Sequence, residues 1–327
     1  MSNRPQKPPP SIGDRVIVRR RVPNTPGHLT DVIGHVLDLD PLTVRPQAVG
    51  GLPSDAPAIT IPTDQIQVCK VLPPRRIRNS DIRAVEQATA AAFPGIRHIW
   101  HNGWLLRAGD GITERSNSAA PLGASAGFSE VPIAEIRAFY HRHNMPARIL
   151  IPDRIARSAE IACAHWKFGP EILVMTHSLE EISVTELPEG FEFRVDSQPD
   201  EDWLAMYHFR GAPLPVHVLN LLRKTIEGNM VFARLTCNNQ TVAITRGTVT
   251  ESADGRRWLG YSAVEVAPAF RRRGLGTLLG QAMLHWGQSC GATDAYLQVI
   301  ASNTAGIGLY EKLGFIEHHR HRYAEEG

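Results

Sequence analysis

Three consecutive arginines and two glycines form a short segment suited to binding an anion. The run reads Arg271, Arg272, Arg273, Gly274, Leu275 and Gly276. Glycine has no side chain to hold a ligand away from the backbone, and arginine pairs with phosphate through several N–H groups. Where a helix begins, its first N–H groups lack intrahelical partners and its dipole is positive. The segment therefore predicts a diphosphate site made largely of backbone.

The flanking residues predict the strand and the helix that hold this turn. Residues 258–266 are typical of a central strand, which stops at Ala267-Pro268. After the turn, apolar residues recur at spacings of three and four, the period of a helix with one face on a sheet. They are Leu275, Leu278, Leu279, Ala282, Met283 and Trp286. The chain thus passes from a strand to a helix N-terminus through glycines.

The amino-acid sequence of the turn differs from two other phosphate-binding motifs. It lacks the G-x-G-x-x-G of dinucleotide-binding folds and the G-K-[ST] of a P-loop. Residues 264–276 follow instead the order V-x-V-x-P-x-[FY]-R-x-R-G-x-G. A second block follows later in the chain, Leu297-Gln298-Val299, Asn303 and Leu309-Tyr310-Glu311-Lys312-Leu313-Gly314-Phe315. Together the blocks resemble the acetyl-CoA signature of the GNAT superfamily of N-acetyltransferases.

This resemblance implies acetyl-CoA as the co-substrate and assigns residues to it. In the family, the strand before the turn splays from the next strand, so its backbone groups lack sheet partners and bind the pantetheine arm. Those groups belong here to Val264, Glu265 and Val266, with the Val266 N–H near the thioester carbonyl. The diphosphate is expected on Arg271, Arg272, Arg273, Gly274, Leu275, Gly276 and Thr277.

Two residues of the second block carry further implied roles. Tyr310 matches the general acid of the family, a phenol that protonates the departing CoA thiolate or donates a hydrogen bond to it. Asn303 matches a residue that binds the CoA arm, although a helix N-cap explains an asparagine there as well. An aromatic residue at helical spacing is likewise compatible with a core position.

An amine acceptor needs a group that removes its proton. A lysine amine with a pKa of about 10.4 is neutral at pH 7 in about one molecule in 2,500. Forming the neutral amine therefore costs roughly 4.6 kcal/mol of free energy. Glu265 is the candidate base on the strand, with Glu251 and the C-terminal histidines as rivals. Strand alternation predicts that Glu265 shares a face with Tyr261 and Leu259.

The histidine-rich segment near the C-terminus raises the question of a metal site. It reads Glu317-His318-His319-Arg320-His321-Arg322. Alternation places His319 and His321 on one face of a strand, with His318 and Arg320 on the other. No carboxylate or thiol at a suitable spacing completes a ligand set. We therefore expect no metal, and a polar closing strand near the acceptor entrance.

Length and composition are those of an ordinary globular protein. The 327 residues predict two or three domains, with 43% hydrophobic and 21% charged residues. There is no apolar run of membrane-spanning length, no signal-peptide core and no paired spacing among the four cysteines. These features predict a cytoplasmic protein with reduced thiols and no membrane partner. A formal net charge of +2 gives no reason to expect a polyanionic partner.

The N-terminal part predicts a small β-barrel. Residues 1–10 are rich in proline and are expected to be a disordered tail. Over residues 11–72, short strands are predicted at 13–18, 31–39, 42–45, 58–61 and 66–68. This part resembles the Src-homology-3-like barrel of an actinobacterial, histone acetyltransferase-like group of GNAT proteins. The arginines at 19–21 lack exposed aromatic neighbours for base stacking, which argues against nucleic acid. Residues 72–75 are the expected linker.

Residues 76–182 repeat the order of helices and strands of the last part of the chain. His165-Trp166-Lys167-Phe168-Gly169 corresponds to Tyr310-Glu311-Lys312-Leu313-Gly314. No R-x-x-G-x-G turn precedes the helix predicted at 132–143, so we interpret this part as a degenerate GNAT half. Arg107, Arg115 and Asn117 are candidates to face the substrate cleft, with stabilisation of a hairpin as the alternative.

The expected architecture is an α/β (α+β) chain with a small β-barrel, a degenerate GNAT half at 76–182 and a complete GNAT domain at 187–327, in which helices flank a mixed sheet. The expected function is direct transfer of acetyl from acetyl-CoA to an amine. A protein lysine and a small-molecule amine both remain open as the acceptor. The alternative function is a non-catalytic acyl-CoA sensor or adaptor. The sequence predicts no oligomeric state.

Overall fold

The computed structural model describes residues 9–22, 29–47, 54–72, 77–180, 182, 186–209, 212–213 and 216–327. Contacts divide the chain into two units, Met1–Ile77 and Arg78–Gly327. No helix within the described ranges is long and apolar enough to cross a membrane. Most of the predicted tail at 1–10 and of the predicted linker at 72–75 lies outside these ranges.

In its described residues, the first unit contains five strands in one antiparallel sheet. They are β1 (Arg15–Arg21), β2 (Leu29–Leu39), β3 (Leu42–Pro46), β4 (Ile59–Thr60) and β5 (Ile66–Val71), in the order β4-β3-β2-β1-β5. Alternate residues such as Val16, Val18 and Val36 enter one buried cluster, because successive side chains of a strand lie on opposite faces. The five predicted strands are confirmed. Arg19 forms an ion pair with Asp31 at 2.9 Å, so part of the basic run is neutralised within the sheet.

As far as the structure describes it, the second unit is a mixed sheet of twelve strands with helices on its faces. Its helices are α1 (Asn79–Ala92), α2 (Ile133–Arg142), α3 (Arg157–Ala162), α4 (Glu201–Met206), α5 (Val216–Thr225), α6 (Leu275–Ser289) and α7 (Thr304–Lys312). Its strands are β6 (Arg97–His101), β7 (Trp104–Ala108), β8 (Ala119–Ala120), β9 (Arg148–Pro152), β10 (Lys167–Phe168), β11 (Ile172–Ser178), β12 (Phe191–Asp196), β15 (Gly228–Cys237), β16 (Gln240–Glu251), β17 (Arg257–Val266), β18 (Asp294–Ile300) and β19 (Ile316–Glu325). A separate hairpin joins β13 (His208–Phe209) to β14 (Ala212–Pro213). The predicted mixed sheet flanked by helices is confirmed.

Two strands are exchanged between the earlier and the later stretch of this unit. The sheet runs β12-β15-β16-β17-β18-β11-β19-β9-β8-β7-β6, with β10 also paired to β19. Strand β11 of the earlier stretch therefore lies between β18 and β19 of the later one. In turn, β19 pairs with β9 and β10 of the earlier stretch. The predicted subdivision at 76–182 and 187–327 stays a prediction, and strands from both stretches share one sheet.

Local predictions failed at several helix and strand ends. Helical patterns at 159–168 and 201–209 in the sequence predict longer helices than are present. The first is wrong at its end, because α3 stops at Ala162 and Lys167–Phe168 pairs with β19 as a strand. In the second, α4 stops at Met206. Strand β6 had not been predicted, and its residues Ile99 and Trp100 are exposed, which departs from a half-buried pattern. These segments are short, and at Lys167–Phe168 a pairing partner far along the chain decides the conformation.

The gap that organises the site opens between β17 and β18. The two strands are parallel and pair only from Trp258 with Asp294 to Tyr261 with Leu297. Beyond this point β17 continues to Val266 and β18 to Ile300. The pairing of β17 with β16 contains one extra residue at Ala263, whose φ is 59°. Such a bulge bends and twists a strand, so the two strand ends diverge.

Helices cover both faces of the sheet at this gap. On one face, Leu275 and Leu279 of α6 pack near Val264 and Val266. On the opposite face, Ala84, Val85 and Ala88 of α1 pack against Trp258 and Tyr296. The gap between β17 and β18 therefore lies between two layers of buried side chains.

Candidate functional site

The predicted anion-binding turn leads directly into α6. A short 3-10 helix at Pro268–Phe270 is followed by exposed residues from Arg271 to Gly274, and α6 begins at Leu275. Arg272 and Gly274 both have left-handed φ values, 61° and 79°. Arg271 before them is extended. N–H groups in turns and at helix N-termini favour anions, so the turn is compatible with the predicted anion cradle.

The three arginines of the turn have different surroundings. The Arg271 Nε donates to the Val266 carbonyl oxygen at 3.0 Å and fixes the turn to the end of β17. The guanidinium of Arg273 lies 5.4 Å from the centre of the Phe270 ring. All three side chains are exposed, so they add positive charge around the cradle without being buried in it.

One edge of β17 is open beyond Tyr261. Val266 pairs with Ala243 and Glu265 with Ile244 on the β16 side, while the ladder to β18 has ended. Backbone groups on an edge of this kind need other partners. Gly276 of α6 lies beside α7, since a Cβ there would come within 3.2 Å of Leu309. The open edge and the turn are therefore close to the helix that carries Tyr310.

The bulge reverses the predicted orientation of Glu265. Alternation predicted a shared face with Tyr261, which is wrong because the extra residue at Ala263 shifts the register by one. Tyr261 and Val264 pack on the α6 face, whereas Ile244, the cross-strand partner of Glu265, packs with Phe93 on the opposite face. Glu265 is half-buried and lies on that opposite face. No pattern in the sequence marked this bulge.

Tyr310 lies inside an aromatic group next to the gap. Its ring centre is 6.0 Å from that of Tyr261 and 6.2 Å from that of Phe315, both edge to face. Burial, assisted by the charge of Glu265, raises the pKa of Tyr310 to about 12. Burial and the neighbouring Tyr310 also raise the pKa of Tyr261. The Tyr310 phenol thus stays protonated across the neutral range and is a hydrogen-bond donor.

Asn303 is a helix N-cap. Its Oδ1 accepts a hydrogen bond from the Gly306 N–H at 3.0 Å, which satisfies one free donor at the start of α7. The capping alternative is confirmed. The implied contact with a CoA arm stays a prediction.

A cleft opens where the pairing of β17 and β18 ends. Polar and aromatic residues from α1, β16, β17 and β18 line it, together with one arginine from the earlier stretch. They are Thr89, Phe93, Arg115, Thr248, Gly260, Tyr261, Ser262, Tyr296, Leu297 and Gln298. Sequence reasoning missed most of them because they lie apart along the chain and form no motif. Arg115 had been considered, Leu297 and Gln298 belonged to a quoted block, and Tyr261 had been named only for its face of the strand.

Of the three polar candidates of the earlier stretch, only Arg115 reaches this cleft. Asn117 accepts from the Gly109 and Gly111 N–H groups and donates to the Thr113 carbonyl. Arg107 is buried and donates to the Phe93 and Ser118 carbonyls. These contacts confirm the hairpin alternative for Asn117 and Arg107.

A carboxylate completes the histidine cluster that the sequence left without one. Oε1 of Glu86 on α1 lies 2.9 Å from His319 Nε2 and 2.6 Å from His321 Nδ1. The expectation that no carboxylate accompanies the histidines is therefore wrong. The sequence did not reveal Glu86 because α1 lies far from the histidines along the chain. All three side chains are buried and their ligand atoms lie within 4.8 Å of one another. Burial alone would raise the pKa of Glu86, but His321 and His319 outweigh it and hold that pKa well below its usual range.

The positions of the rival bases differ from that of Glu265. Glu251 pairs with Arg257 at the far end of the β16–β17 ladder, several residues from the gap. His319 and His321 are buried under α1 against Glu86. Among the three candidates, Glu265 is the one on the strand segment beyond the bulge.

Two family profiles match the chain. One is described as the Rv0428c N-terminal Sm-like domain and matches residues 10–70. The other is described as probable histone acetyltransferase Rv0428c C-terminal and matches residues 79–324. An Sm-like domain is also a small β-barrel, and the predicted Src-homology-3-like assignment is not confirmed.

Individual proteins extend this similarity. The probable histone acetyltransferase Rv0428c of Mycobacterium tuberculosis is 37% identical over 322 residues, which covers 96% of this chain and 95% of that protein. A GCN5-related N-acetyltransferase from Kribbella flavida superposes with a TM-score of 0.53 at 16% identity, covering 76% of this chain and 95% of that chain. A tandem GNAT protein from the clavulanic acid biosynthesis pathway does so with a TM-score of 0.53 at 14% identity, covering 78% and 90%. At these identities the two structures establish the fold, a GNAT-like mixed sheet flanked by helices.

Proposed function

The chain belongs to the Rv0428c family, and from this membership we propose that it transfers an acetyl group from acetyl-CoA to an amine. The N-acetyltransferase names of its relatives support acyltransferase activity in general. One observation supports the specific reaction: the glycine turn, the open edge of β17 and a protonated phenol adjoin one another. Gly276 of the turn is next to Leu309, and Tyr310 packs on Tyr261 of β17.

Binding would use the backbone more than side chains. N–H groups from Arg271 to Gly276, with Thr277 in the first turn of α6, hold the diphosphate. The backbone of Val264, Glu265 and Val266 bonds the amide-bearing arm as an added strand would, with Asn303 at its far side. The Val266 N–H then stabilises negative charge on the carbonyl oxygen. This arrangement accounts for an open strand edge beside a glycine turn.

The proposed reaction is a direct transfer of the acetyl group from the CoA sulfur to the amine nitrogen. The neutral amine nitrogen attacks the thioester carbonyl carbon, a C–N bond forms and the C–S bond breaks. The nitrogen loses one proton to a base, and the sulfur receives a hydrogen bond or a proton from the Tyr310 hydroxyl. The products are an amide and the free CoA thiol. No covalent intermediate on the protein is required.

Glu265 is the base in this proposal. Its carboxylate lies on the α1 face of β17, the face that also carries Ser262 of the cleft. It is half-buried, which allows a water molecule to carry the proton between amine and carboxylate. Glu251 is disfavoured by its position at the other end of the ladder.

The remaining assignments follow from the same reasoning. Residues 76–182 act as a degenerate GNAT half that supplies a wall of the cleft through Arg115. The small N-terminal barrel has no part in the chemistry proposed. The name of the mycobacterial relative points to a protein lysine as acceptor, and a small-molecule amine is the second candidate, favoured by Arg115 in the cleft.

A pair of glycines allows a controlled test of the proposed CoA site. Gly274 and Gly255 have nearly equal left-handed φ values, 79° and 81°, and at both a Cβ would meet no atom within 4 Å. Gly274→Val and Gly255→Val should therefore lower stability by similar amounts, roughly 1–2 kcal/mol from the left-handed backbone. Calorimetric titration with CoA should show weaker binding, at least tenfold, for Gly274→Val alone.

Turnover is tested with the purified chain, acetyl-CoA and a panel of lysine peptides and small amines, by following release of the CoA thiol. We expect release that depends on the amine. Equal CoA affinity in the two glycine variants would refute the assigned cradle. Tight CoA binding without turnover on any amine would instead support the sensor or adaptor function.

A further inference from the structure

Two arginines from different parts of the chain share one aromatic ring in the cleft. The guanidinium carbon of Arg115 lies 5.1 Å from the centre of the Phe93 ring, and that of Arg246 on β16 lies 5.2 Å from it. Arg246 is only 3% exposed. Stacking on an aromatic face stabilises a guanidinium and leaves its N–H edges available to bind.

Neither guanidinium has a carboxylate partner in the described part of the chain. The Arg115 Nε donates to the Gln298 Oε1 at 2.8 Å, and the Arg246 Nε donates to the Ser262 Oγ at 3.3 Å. No ion pair within 4.0 Å joins either residue to a described Asp or Glu, while other arginines such as Arg234 and Arg320 are paired. Among the neighbours of Arg246, Arg115 adds a like charge, and Tyr207 and Tyr296 contribute phenol groups.

This arrangement is costly unless an anion joins it. Burying a charge without a counter-charge is unfavourable, and a second cation beside it adds repulsion. Burial, with repulsion from Arg115, lowers the pKa of Arg246, while Tyr207 and Tyr296 act in the opposite direction. A ligand with an oxyanion removes both costs, since each guanidinium presents a fork of donors to two oxygens.

The position of the pair at the cleft links it to the acceptor, because Arg115 lines the cleft and Arg246 contacts two of its lining residues, Phe93 and Ser262. Ser262 and Gln298, which hold the two arginines, are the first residues of β17 and β18 beyond the paired segment. The hydroxyls of Thr89, Thr248 and Tyr296 line the same cleft and offer further hydrogen-bonding groups beside the guanidinium of Arg115.

We propose that the acceptor is a small amine that also carries an oxyanion, a carboxylate or a phosphate, and that Arg115 and Arg246 bind this group. This inference rests on the proposed acetyl transfer and names its substrate class. A strongly basic lysine-rich segment would bring further cations beside two uncompensated ones and is disfavoured. The earlier stretch of the chain thereby supplies, through Arg115, a specificity residue of the later one.

Matched pairs of amines test the proposal in the full chain. The first pair is β-alanine and β-alaninamide, and the second is 2-aminoethyl phosphate and ethanolamine. A basic lysine peptide is measured beside both pairs. Release of CoA gives kcat/KM for each acceptor, and calorimetry of the CoA-loaded protein gives its affinity. The anionic member of at least one pair should be preferred by about tenfold or more, and the two pairs distinguish carboxylate from phosphate.

Arg115→Gln separates an acceptor site from a structural role. It should reduce kcat/KM for the anionic acceptors by about 10- to 100-fold, mainly through KM, and leave the neutral analogues within about twofold. Arg115→Lys should restore part of the preference because it keeps the charge. Arg256→Gln is the matched control, since Arg256 also stacks on an aromatic ring, Trp258 at 4.9 Å, but is paired with Asp254 away from the cleft.

The outcomes distinguish this inference from the proposed function. Preference for neutral or basic amines, or an equal loss on all acceptors in Arg115→Gln, would refute the oxyanion site while acetyl transfer stands. Binding of an anionic amine that depends on Arg115, without turnover on any amine, would keep the site and refute acetyl transfer. Loss of both binding and turnover in Arg256→Gln would show that the Arg115 effect is not specific.

Discussion

Replacement of Tyr310 by phenylalanine removes the phenol oxygen and keeps the ring. The edge-to-face contacts with Tyr261 and Phe315 involve ring atoms, so packing in the aromatic group is retained. We therefore expect the stability of Tyr310→Phe to be close to that of the wild type. Any large change in turnover then reports the hydroxyl.

The raised pKa of Tyr310 sets the size of the effect. With a pKa of about 12, the phenol is a weaker acid than an ordinary thiol, whose pKa is about 8.5. Complete proton transfer to a thiolate would be uphill by about 3.5 units, roughly 4.8 kcal/mol. The hydroxyl is therefore expected to act mainly as a hydrogen-bond donor while charge develops on sulfur. Such a bond to a charged group contributes about 1.5–3 kcal/mol, so kcat should fall about 10- to 150-fold.

The assay follows thiol release under saturating acetyl-CoA and acceptor, from pH 6 to pH 10. Because the phenol ionises only near pH 12, its ionisation should cause no loss of rate within this range. Tyr140→Phe is the control for a lost hydroxyl, since Tyr140 donates to the Arg107 carbonyl away from the gap. Retention of more than half of the wild-type kcat in Tyr310→Phe would refute the role assigned here. So would an alkaline loss of rate near pH 8–9 that disappears in the variant.

Two further substitutions test the surroundings of the site. Asn303→Ala removes the cap of α7 and should cost about 1 kcal/mol, seen by calorimetry as a fall in Tm of about 2–4 °C. It should also weaken CoA binding, and an unchanged Kd would refute its contact with the CoA arm. Glu86→Gln tests the buried cluster by denaturant unfolding between about pH 3 and pH 6. Because the folded-state pKa of Glu86 is depressed, its contribution is complete above the unfolded value of 4.5 and is lost as the pH falls below that value. The variant should therefore lose less stability on acidification than the wild type, and parallel curves would contradict the assigned pairing.

The sequence predicted those parts of the site that depend on neighbouring residues. The strand, turn and helix from Trp258 to Trp286 were recognisable because glycine placement and helical spacing are local properties. The same holds for the cap at Asn303, whose partner lies three residues away. Five short strands of the first unit were also predictable, since turn residues separate them.

Features that depend on distant residues escaped prediction. The bulge at Ala263 has no proline or glycine to mark it, yet it places Glu265 on the opposite face of the sheet. The contact of Glu86 with His319 joins positions 233 residues apart. Arg246 attracted no attention because an arginine on a strand is usually exposed, whereas here α1 and α4 pack on β16 and Arg246 is buried.

The interleaving of β11 and β19 has a consequence for how this chain is made. Strand β19 is translated after every strand it contacts, and it lies between β11 and β9. Until residues 316–325 leave the ribosome, a nascent chain presents two unpaired sheet edges built from apolar residues such as Val174 and Ile149. Most of the second unit is thus expected to assemble late and in one step. A chain that is stalled or cleaved before β19 would therefore be a target for chaperones and proteases, and would not be a smaller folded protein.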